Sequence, residues 1–325
     1  MNAELLAVLW CPADHGTLRD EGEAARCEVC ERRYPIIDGV LSFLFDADLS
    51  EQDRAEQADR DQEADWYDSI WPEYIDRVEL PAHTAWSVRP AGPVLDLGCG
   101  PGRITEHLAR VLGHPTIGLD YSLTSLKLLA RRCEGLPVLA VHADGRSLPI
   151  RDGALQAATA GQSYSFIRPE GRHQMLQECA RILQPGGELL VSTLNFNLTF
   201  WLWKLKGNQG AKEGEHMYGS NFYYVRQTPA EFRGELERVF RSVQIRGIRN
   251  IPVRTIATAF GRVGGPRRTE QFMAFMARRG VPVDRVLERV PIFKRVGFLL
   301  LARVSRPLPL TPPRPRADQS ATVSS

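Results

Sequence analysis

Two groups of residues in this chain have types and spacings suited to chemistry. The stretch Val94-Leu95-Asp96-Leu97-Gly98-Cys99-Gly100-Pro101-Gly102-Arg103 begins as a short apolar run that reads as a buried strand. It passes through three glycines at alternate positions into an amphipathic helix marked by Ile104, Leu108 and Leu112. Such a strand, turn and helix N-terminus let backbone approach a ligand closely, because glycine has no Cβ and tolerates positive φ. The third glycine arrives one residue early for the G-x-G-x-x-G of dinucleotide sites. The second group is Cys11-Pro12-Ala13-Asp14-His15 followed by Cys27-Glu28-Val29-Cys30. A C-x2-C pair puts two thiolates on one tight knuckle, and a second knuckle about fifteen residues away completes a tetrahedron around Zn²⁺. The second knuckle is intact; the first has Asp14, with His15 beside it, where a cysteine is expected. Both side-chain types bind zinc, and a metal-free ribbon is the alternative. A closed four-ligand site of this kind is structural, since it leaves no open position for chemistry.

The elements that must position these groups follow from the pattern beyond Pro93. A second strand over 115–119 ends at Asp120, and a helix from a Ser122 N-cap runs to about Cys133. A third strand, 137–141, closes on Ala143-Asp144, and a fourth covers 155–160. A helix over 170–183 buries Met175, Leu176, Cys179, Ile182 and Leu183, and Pro185-Gly186-Gly187 turns into a fifth strand over 188–194. Thr228-Pro229 opens a helix to about Phe240, and strands over 242–248 and 297–304 close the set. This alternation predicts an α/β fold with a doubly wound, mostly parallel seven-stranded sheet, whose ligands bind at the carboxyl ends of the strands.

The run V-L-D-L-G-C-G-P-G resembles the first motif of class I S-adenosylmethionine (SAM) dependent methyltransferases, and L-Q-P-G-G-E-L-L-V resembles their turn and fifth strand. The resemblance implies SAM as cofactor. Gly98, Gly100 and Gly102 would then cradle its methionyl part and Asp96 its amino group. Asp120, with Tyr121 beside it, would take the ribose, and Asp144 with Gly145 the adenine. Gln162, Ser163 and Tyr164 would lie beneath the methyl donor, and Cys99 would fill space in the turn. Residues 1–45 resemble the small zinc-ribbon family that includes the activator subunit of tRNA and protein methyltransferases. The pattern C-P-x-C…C-x-x-C…Y-P-I-x-D-G-V-x-x-F is matched nearly throughout, with Asp14 the departure. That likeness implies structural Zn²⁺ on Cys11, Cys27 and Cys30, with Asp14 or His15 as fourth ligand.

The chain of 325 residues, 43% hydrophobic and 25% charged, is ordinary for a globular protein, but its net charge of +2 is unevenly spread. Thirteen acidic residues crowd 46–79, and seventeen Lys or Arg face three acidic residues over 241–316. The expected division is a zinc-ribbon-like domain (1–45), an acidic and aromatic helical connector (46–90), a methyltransferase domain (91–306) with a basic helical insertion at about 251–296, and a disordered Pro/Ser-rich tail (307–325). Within the connector, 51–65 is polar all round and reads as an exposed helix or flexible link, while the aromatic residues from Trp66 to Tyr74 are expected to pack it onto the main domain, with lining of a substrate pocket as the alternative. With no signal peptide and no apolar run long enough to span a bilayer, the expected location is cytoplasmic, where thiols stay reduced and paired cysteines suggest metal.

The segment following the fifth strand, rich in Trp and Tyr, is a candidate substrate lid. His216 is the first candidate for a general base, and Tyr218, Tyr223 and Tyr224 could also contact or deprotonate a substrate there; His173 on its helix is expected to face solvent. The favoured acceptor is a small metabolite. RNA, reached through the basic C-terminal region, or a protein of the translation machinery is the alternative, and a SAM-binding regulator or scaffold without turnover is a third possibility.

Overall fold

The structure, a computed structural model, describes residues 1–45, 51–67, 80–81, 92–197, 212–214, 223–248 and 297–308, with four isolated positions between 275 and 286. The expectations for His216, Tyr218, the Trp-rich run, most of the aromatic cluster, nearly all of the basic insertion and all but the first two residues of the tail lie outside the described residues.

The central sheet is built on β5 (Val94–Leu97), whose four residues are all buried. On one side β6 (Thr116–Asp120) and β7 (Val138–His142) follow in parallel; on the other lie β8 (Leu155–Ala160) and β9 (Leu183–Asn195), also parallel. β13 (Leu299–Pro307) runs antiparallel between β9 and β12 (Phe240–Ile248). The seven strands expected from sequence thus lie in the order β7-β6-β5-β8-β9-β13-β12. Because the chain leaves β5 toward one side and reaches β8 on the other, the strand order reverses beside β5 and opens a crevice at the carboxyl ends. The expected Pro185-Gly186-Gly187 turn falls inside β9, where the ladder slips from Leu155–Leu183 to Ala157–Glu188 and leaves 184–187 as a bulge. Gly186 adopts φ +87°, which favours glycine there.

Helices α3 (Arg103–Arg110), α4 (Leu123–Arg132) and α5 (Pro169–Ile182) cover the sheet. The Ser122 hydroxyl caps α4 by accepting from Ser125 N–H at 3.1 Å. α6 (Pro229–Glu237) starts with a full capping box between Thr228 and Glu231, as its Thr-Pro start foretold. A short pair, β10 (Glu213–Gly214) and β11 (Tyr224–Gln227), extends the end of β9.

The N-terminal ribbon holds α1 (Ala3–Ala7) and the strands β1 (Leu18–Asp20), β2 (Ala24–Cys27), β3 (Arg33–Ile37) and β4 (Val40–Ser42). It has its own antiparallel meander, but β4 also pairs in parallel with β7, so ribbon and main sheet form one continuous sheet. Leu5, Leu9, Tyr34 and Leu41 share a buried cluster with Val141, Leu148 and Ile150. The apolar Y-P-I-x-D-G-V-L stretch covers what would otherwise be an exposed edge of the main sheet.

The acidic connector departs from expectation. Residues Glu51–Tyr67 form a helix, α2, but it is docked rather than free. It has almost no apolar stripe, and it is held by a row of side chains at helical spacing. Gln57 Nε2 lies 3.0 Å from His142 Nε2, Asp61 accepts from the Ser122 hydroxyl at 2.5 Å and from Thr124 N–H at 3.1 Å, and Ala64 is buried. Polar docking of this kind leaves no hydrophobic periodicity to read. Among the described residues no helix is long and apolar enough to cross a membrane.

Candidate functional site

At the carboxyl ends of β5, β6, β7 and β8 lies a cavity of about 710 Å³. Asp96, near the end of β5, is 1% exposed; its Oδ2 accepts from Thr105 Oγ1 at 2.6 Å, while its buried Oδ1 has no partner among the described residues. Burial pushes this carboxyl up to about 7, with the nearby Asp120 adding to the shift and the Thr105 hydrogen bond opposing it. Beyond it Gly98, Gly100 and Gly102 all have positive φ. A Cβ on Gly98 would stand 2.3 Å from Ser163 Cβ, and one on Gly102 would stand 1.9 Å from Leu129 Cδ1. Those two glycines are therefore required by strand-to-strand and helix packing. A Cβ on Gly100 would meet nothing, and the Gly100 N–H donates to Asp120 Oδ2 at 2.8 Å. Asp120 Oδ1 accepts from Ser122 N–H at 2.8 Å, so one carboxylate joins the glycine turn to the start of α4. Cys99, as expected, fills space: its thiol packs where a Cβ on Gly118 would fall, and burial raises its pKa well above the usual range, which makes it a poor nucleophile.

The other expected residues converge on the same cavity with two adjustments. Tyr121, Asp144, Gly145, Gln162 and Ser163 line it. The Asp144 carboxylate is gripped by Arg146, whose Nε lies 2.8 Å from Oδ2, so the two act as a pair. Gln162 adopts φ +62° and its N–H donates to Ser192 Oγ at 2.8 Å, which turns the chain at the end of β8. Tyr164 does not line the cavity. It is fully buried beneath the crevice, its hydroxyl 2.5 Å from Glu235, itself paired with the buried Arg172. The short 3-10 turn Ser163–Phe166 buries its two middle residues, Tyr164 and Ser165, and leaves Ser163 and Phe166 to line the cavity. Tyr223 and Tyr224 are likewise buried, Tyr223 against Arg172 and Glu213, and neither lines the cavity. His173 is exposed on α5, as expected. Sequence reasoning missed Arg60 and Ala64 of α2, which form one wall; no motif marks them, and only their helical spacing with Gln57 and Asp61 hints at a shared face.

The two knuckles of the ribbon are built alike. Cys11 N–H donates to Gly16 O, and Cys27 N–H donates to Arg32 O; His15 and Glu31 occupy the same left-handed position, each at φ 62°. Asp14 in the first knuckle thus stands where Cys30 stands in the second. The ligand atoms of Cys11, Asp14, Cys27 and Cys30 all lie within 4.8 Å of one another, with the Cys11 and Cys30 sulfurs 3.6 Å apart. Four ligands around zinc are separated by about 3.8 Å given Zn–S bonds of about 2.3 Å, so the donor set and its spacing fit that ion. The Gly16 N–H, 2.9 Å from Asp14 Oδ1, holds this carboxyl below the usual carboxylate range and so keeps it in the anionic form a metal ligand needs. His15 is turned away; its ring stacks on Trp10 with centroids 3.7 Å apart.

A glycine turn at the reversal of a 3-2-1-4-5-7-6 sheet, an orphaned buried carboxylate oxygen beside it and an acidic residue at or just beyond the end of each of the next two strands define a SAM-dependent methyltransferase domain. The comparisons agree. Residues 94–187 match the family model described as "Methyltransferase domain", and residues 2–39 match that described as "Trm112p-like protein". The chain therefore carries a methyltransferase domain preceded by a Trm112p-like domain. An uncharacterized 37.1 kDa protein in transposon TN4556 of Streptomyces fradiae is 34% identical over 110 residues, which is 33% of this chain and 31% of that protein. The chain thus spans under a third of that relative's length. The demethylmenaquinone methyltransferase of Chlamydia trachomatis is 26% identical over 205 residues, 56% of this chain and 87% of the relative. Among solved structures, a chain of the complex between the Haloferax volcanii Trm112 methyltransferase activator and the putative methyltransferase shares the fold, with a TM-score of 0.54 and 18% identity over 79% of this chain and 99% of that one.

Proposed function

We propose that this protein transfers a methyl group from SAM to a small-molecule acceptor in the crevice above β5 and β8. The observation that carries this reading is the cavity itself: about 710 Å³, within the range that encloses a small ligand, and walled by α2 as well as by the strand ends. The likeness to a demethylmenaquinone methyltransferase along most of that relative's length supports it.

When bound, SAM supplies an electrophilic methyl on a sulfonium. The chain's own residues bind, orient and exclude water. In this proposal Asp96 Oδ1 accepts from the methionyl ammonium, Asp120 and Tyr121 hold the ribose, and Asp144 with Gly145 faces the adenine. Gln162 and Ser163 line the approach to the methyl, and α2 screens the crevice from solvent. His216 is the proposed proton acceptor for a hydroxyl or amine substrate. Cys11, Asp14, Cys27 and Cys30 hold Zn²⁺, which ties the two knuckles together and stiffens the ribbon against β7 in a cytoplasmic, reducing setting.

The Trm112p-like segment favours a second reading, in which the acceptor is RNA or a protein of the translation machinery. Incubation with radiolabelled SAM and a cell extract split by ultrafiltration separates the two. We expect label in the low-molecular-weight fraction. Label confined to RNA or protein would establish the second reading, and no label in either fraction would leave a SAM-binding protein without turnover.

A further inference from the structure

We propose that His142 is a positioning residue through which the ribbon sets the wall and the ribose end of the cofactor crevice. This inference rests on the cofactor lying at Asp120 and Tyr121, and it holds whichever acceptor follows.

His142 ends β7, after the apolar run Val138-Leu139-Ala140-Val141. It is 4% exposed and does not line the cavity. β7 lies between β4 of the ribbon and β6 of the main sheet, and the two registers set Ser42, His142 and Asp120 in one row. Backbone bonds join the row just beyond: Phe43 N–H donates to His142 O at 2.9 Å, and Ala143 N–H donates to Asp120 O at 3.2 Å. A polar ring buried at the end of an apolar strand is costly unless its nitrogens find partners.

Both nitrogens find them, on different units of the chain. Nδ1 lies 2.9 Å from Ser42 Oγ of the ribbon. Nε2 lies 3.0 Å from Gln57 Nε2 of α2 and 3.2 Å from the Tyr121 carbonyl oxygen. Ser42 is fixed in turn, its hydroxyl donating to Leu44 O at 3.1 Å. On the crevice side, Arg60, Asp61 and Ala64 follow Gln57 at helical spacing. Asp61 accepts from Ser122 and Thr124, while Arg60 and Ala64 line the cavity. Tyr121 lines it too, directly after the carboxylate that holds the Gly100 N–H. An imidazole suits this bridge, because a rigid ring carries two hydrogen-bonding nitrogens that face different ways. α2 has almost no apolar stripe, so a few such contacts decide where that wall stands. A shift of Ser42 is thus passed to Gln57 and Tyr121 through one ring.

The test uses the full chain and S-adenosylhomocysteine titrated calorimetrically. Ser42→Ala changes a ribbon residue outside the cavity, yet it should weaken binding about fivefold, the cost of one hydrogen bond, and Gln57→Ala should do the same. Because both act through one ring, the double variant should bind no worse than the weaker single one. In a His142→Ala background, itself weakened about tenfold, neither change should matter further. His142→Gln, whose amide reaches toward Gln57, should recover part of the loss. Unchanged affinity in Ser42→Ala would overturn the link to the ribbon. Losses that multiply in the Ser42→Ala/Gln57→Ala double variant would overturn the shared route, and that comparison stands even where His142→Ala does not fold. A lower thermal midpoint for the single variants with unaltered affinity would make His142 a packing group only and overturn the proposal. No binding by the parent chain would overturn the cofactor site itself, and this inference with it.

Discussion

The knuckles of the ribbon and the glycine turn of the sheet both gather ligand-binding groups, by opposite routes. In the ribbon, four side chains carry the site, and the backbone only repeats one turn twice, with His15 and Glu31 in the same left-handed position. In the sheet, the backbone carries most of it: Gly98 and Gly102 are forced by Ser163 and Leu129, and the acidic groups come from three different strand ends. A side-chain site is damaged by changing one donor. A backbone site tolerates many changes of side chain but depends on how its strands are brought together. The first is local and rigid; the second is assembled from distance.

Three changes break or sharpen that contrast, the largest first. Cys27→Ser removes one of four donors, and the metal content of the purified protein should fall from about one equivalent to a small fraction of that. Because β4 pairs with β7, the thermal midpoint should also fall, by roughly 5 °C or more. An unchanged midpoint with metal absent would show the ribbon to be independent of the main sheet.

The second change tests the orphaned carboxylate. The Asp96 pKa, near 7, is raised above its unfolded value, so the stability this group contributes is present at acid pH and is lost as pH rises through 7. Cofactor binding runs the opposite way, since the ammonium prefers the ionised form. Affinity for S-adenosylhomocysteine should therefore rise about tenfold between pH 6 and pH 8, by calorimetry. Asp96→Asn should bind weakly and with little pH dependence, yet unfold at a higher temperature than the parent at pH 8.

The smallest effect is expected at the polar dock of α2. Asp61→Ala removes the acceptor for the Ser122 hydroxyl and Thr124 N–H, which should cost about 1 kcal/mol in urea unfolding and weaken cofactor binding several-fold. Unaltered affinity would mean that α2 is not a working wall of the crevice.

The legible parts of this protein share a cause. The glycine run, the C-x2-C knuckle, the Ser122 and Thr228 caps and the strand-end aspartates each depend on neighbours within a few residues, so local spacing revealed them and a doubly wound, seven-stranded sheet followed. That Ser163 lines the crevice while Tyr164 is buried below it was not legible, because the sense of a short turn decides which of two adjacent side chains faces the crevice, and nothing in the residue types encodes it. Arg60 was passed over because α2 docks through single hydrogen bonds to Ser122, Thr124 and His142, which leave no periodic apolar signal.

By itself, then, the sequence pointed to the methyl donor and to a cluster of metal-ligand types: three glycines, the aspartates after them, Cys11 and the Cys27–Cys30 knuckle suffice, because each group's chemistry resides in its own atoms. Only the tertiary structure decided that Asp14 rather than His15 joins the cysteines, that the ribbon continues the sheet through β4, and that α2 and Arg60 wall the crevice. Those outcomes turn on which surfaces meet in space, and pairings of residues a hundred or more positions apart, such as Ser42 with His142 and Arg303 with Glu188, are set by the packed chain and by no local pattern.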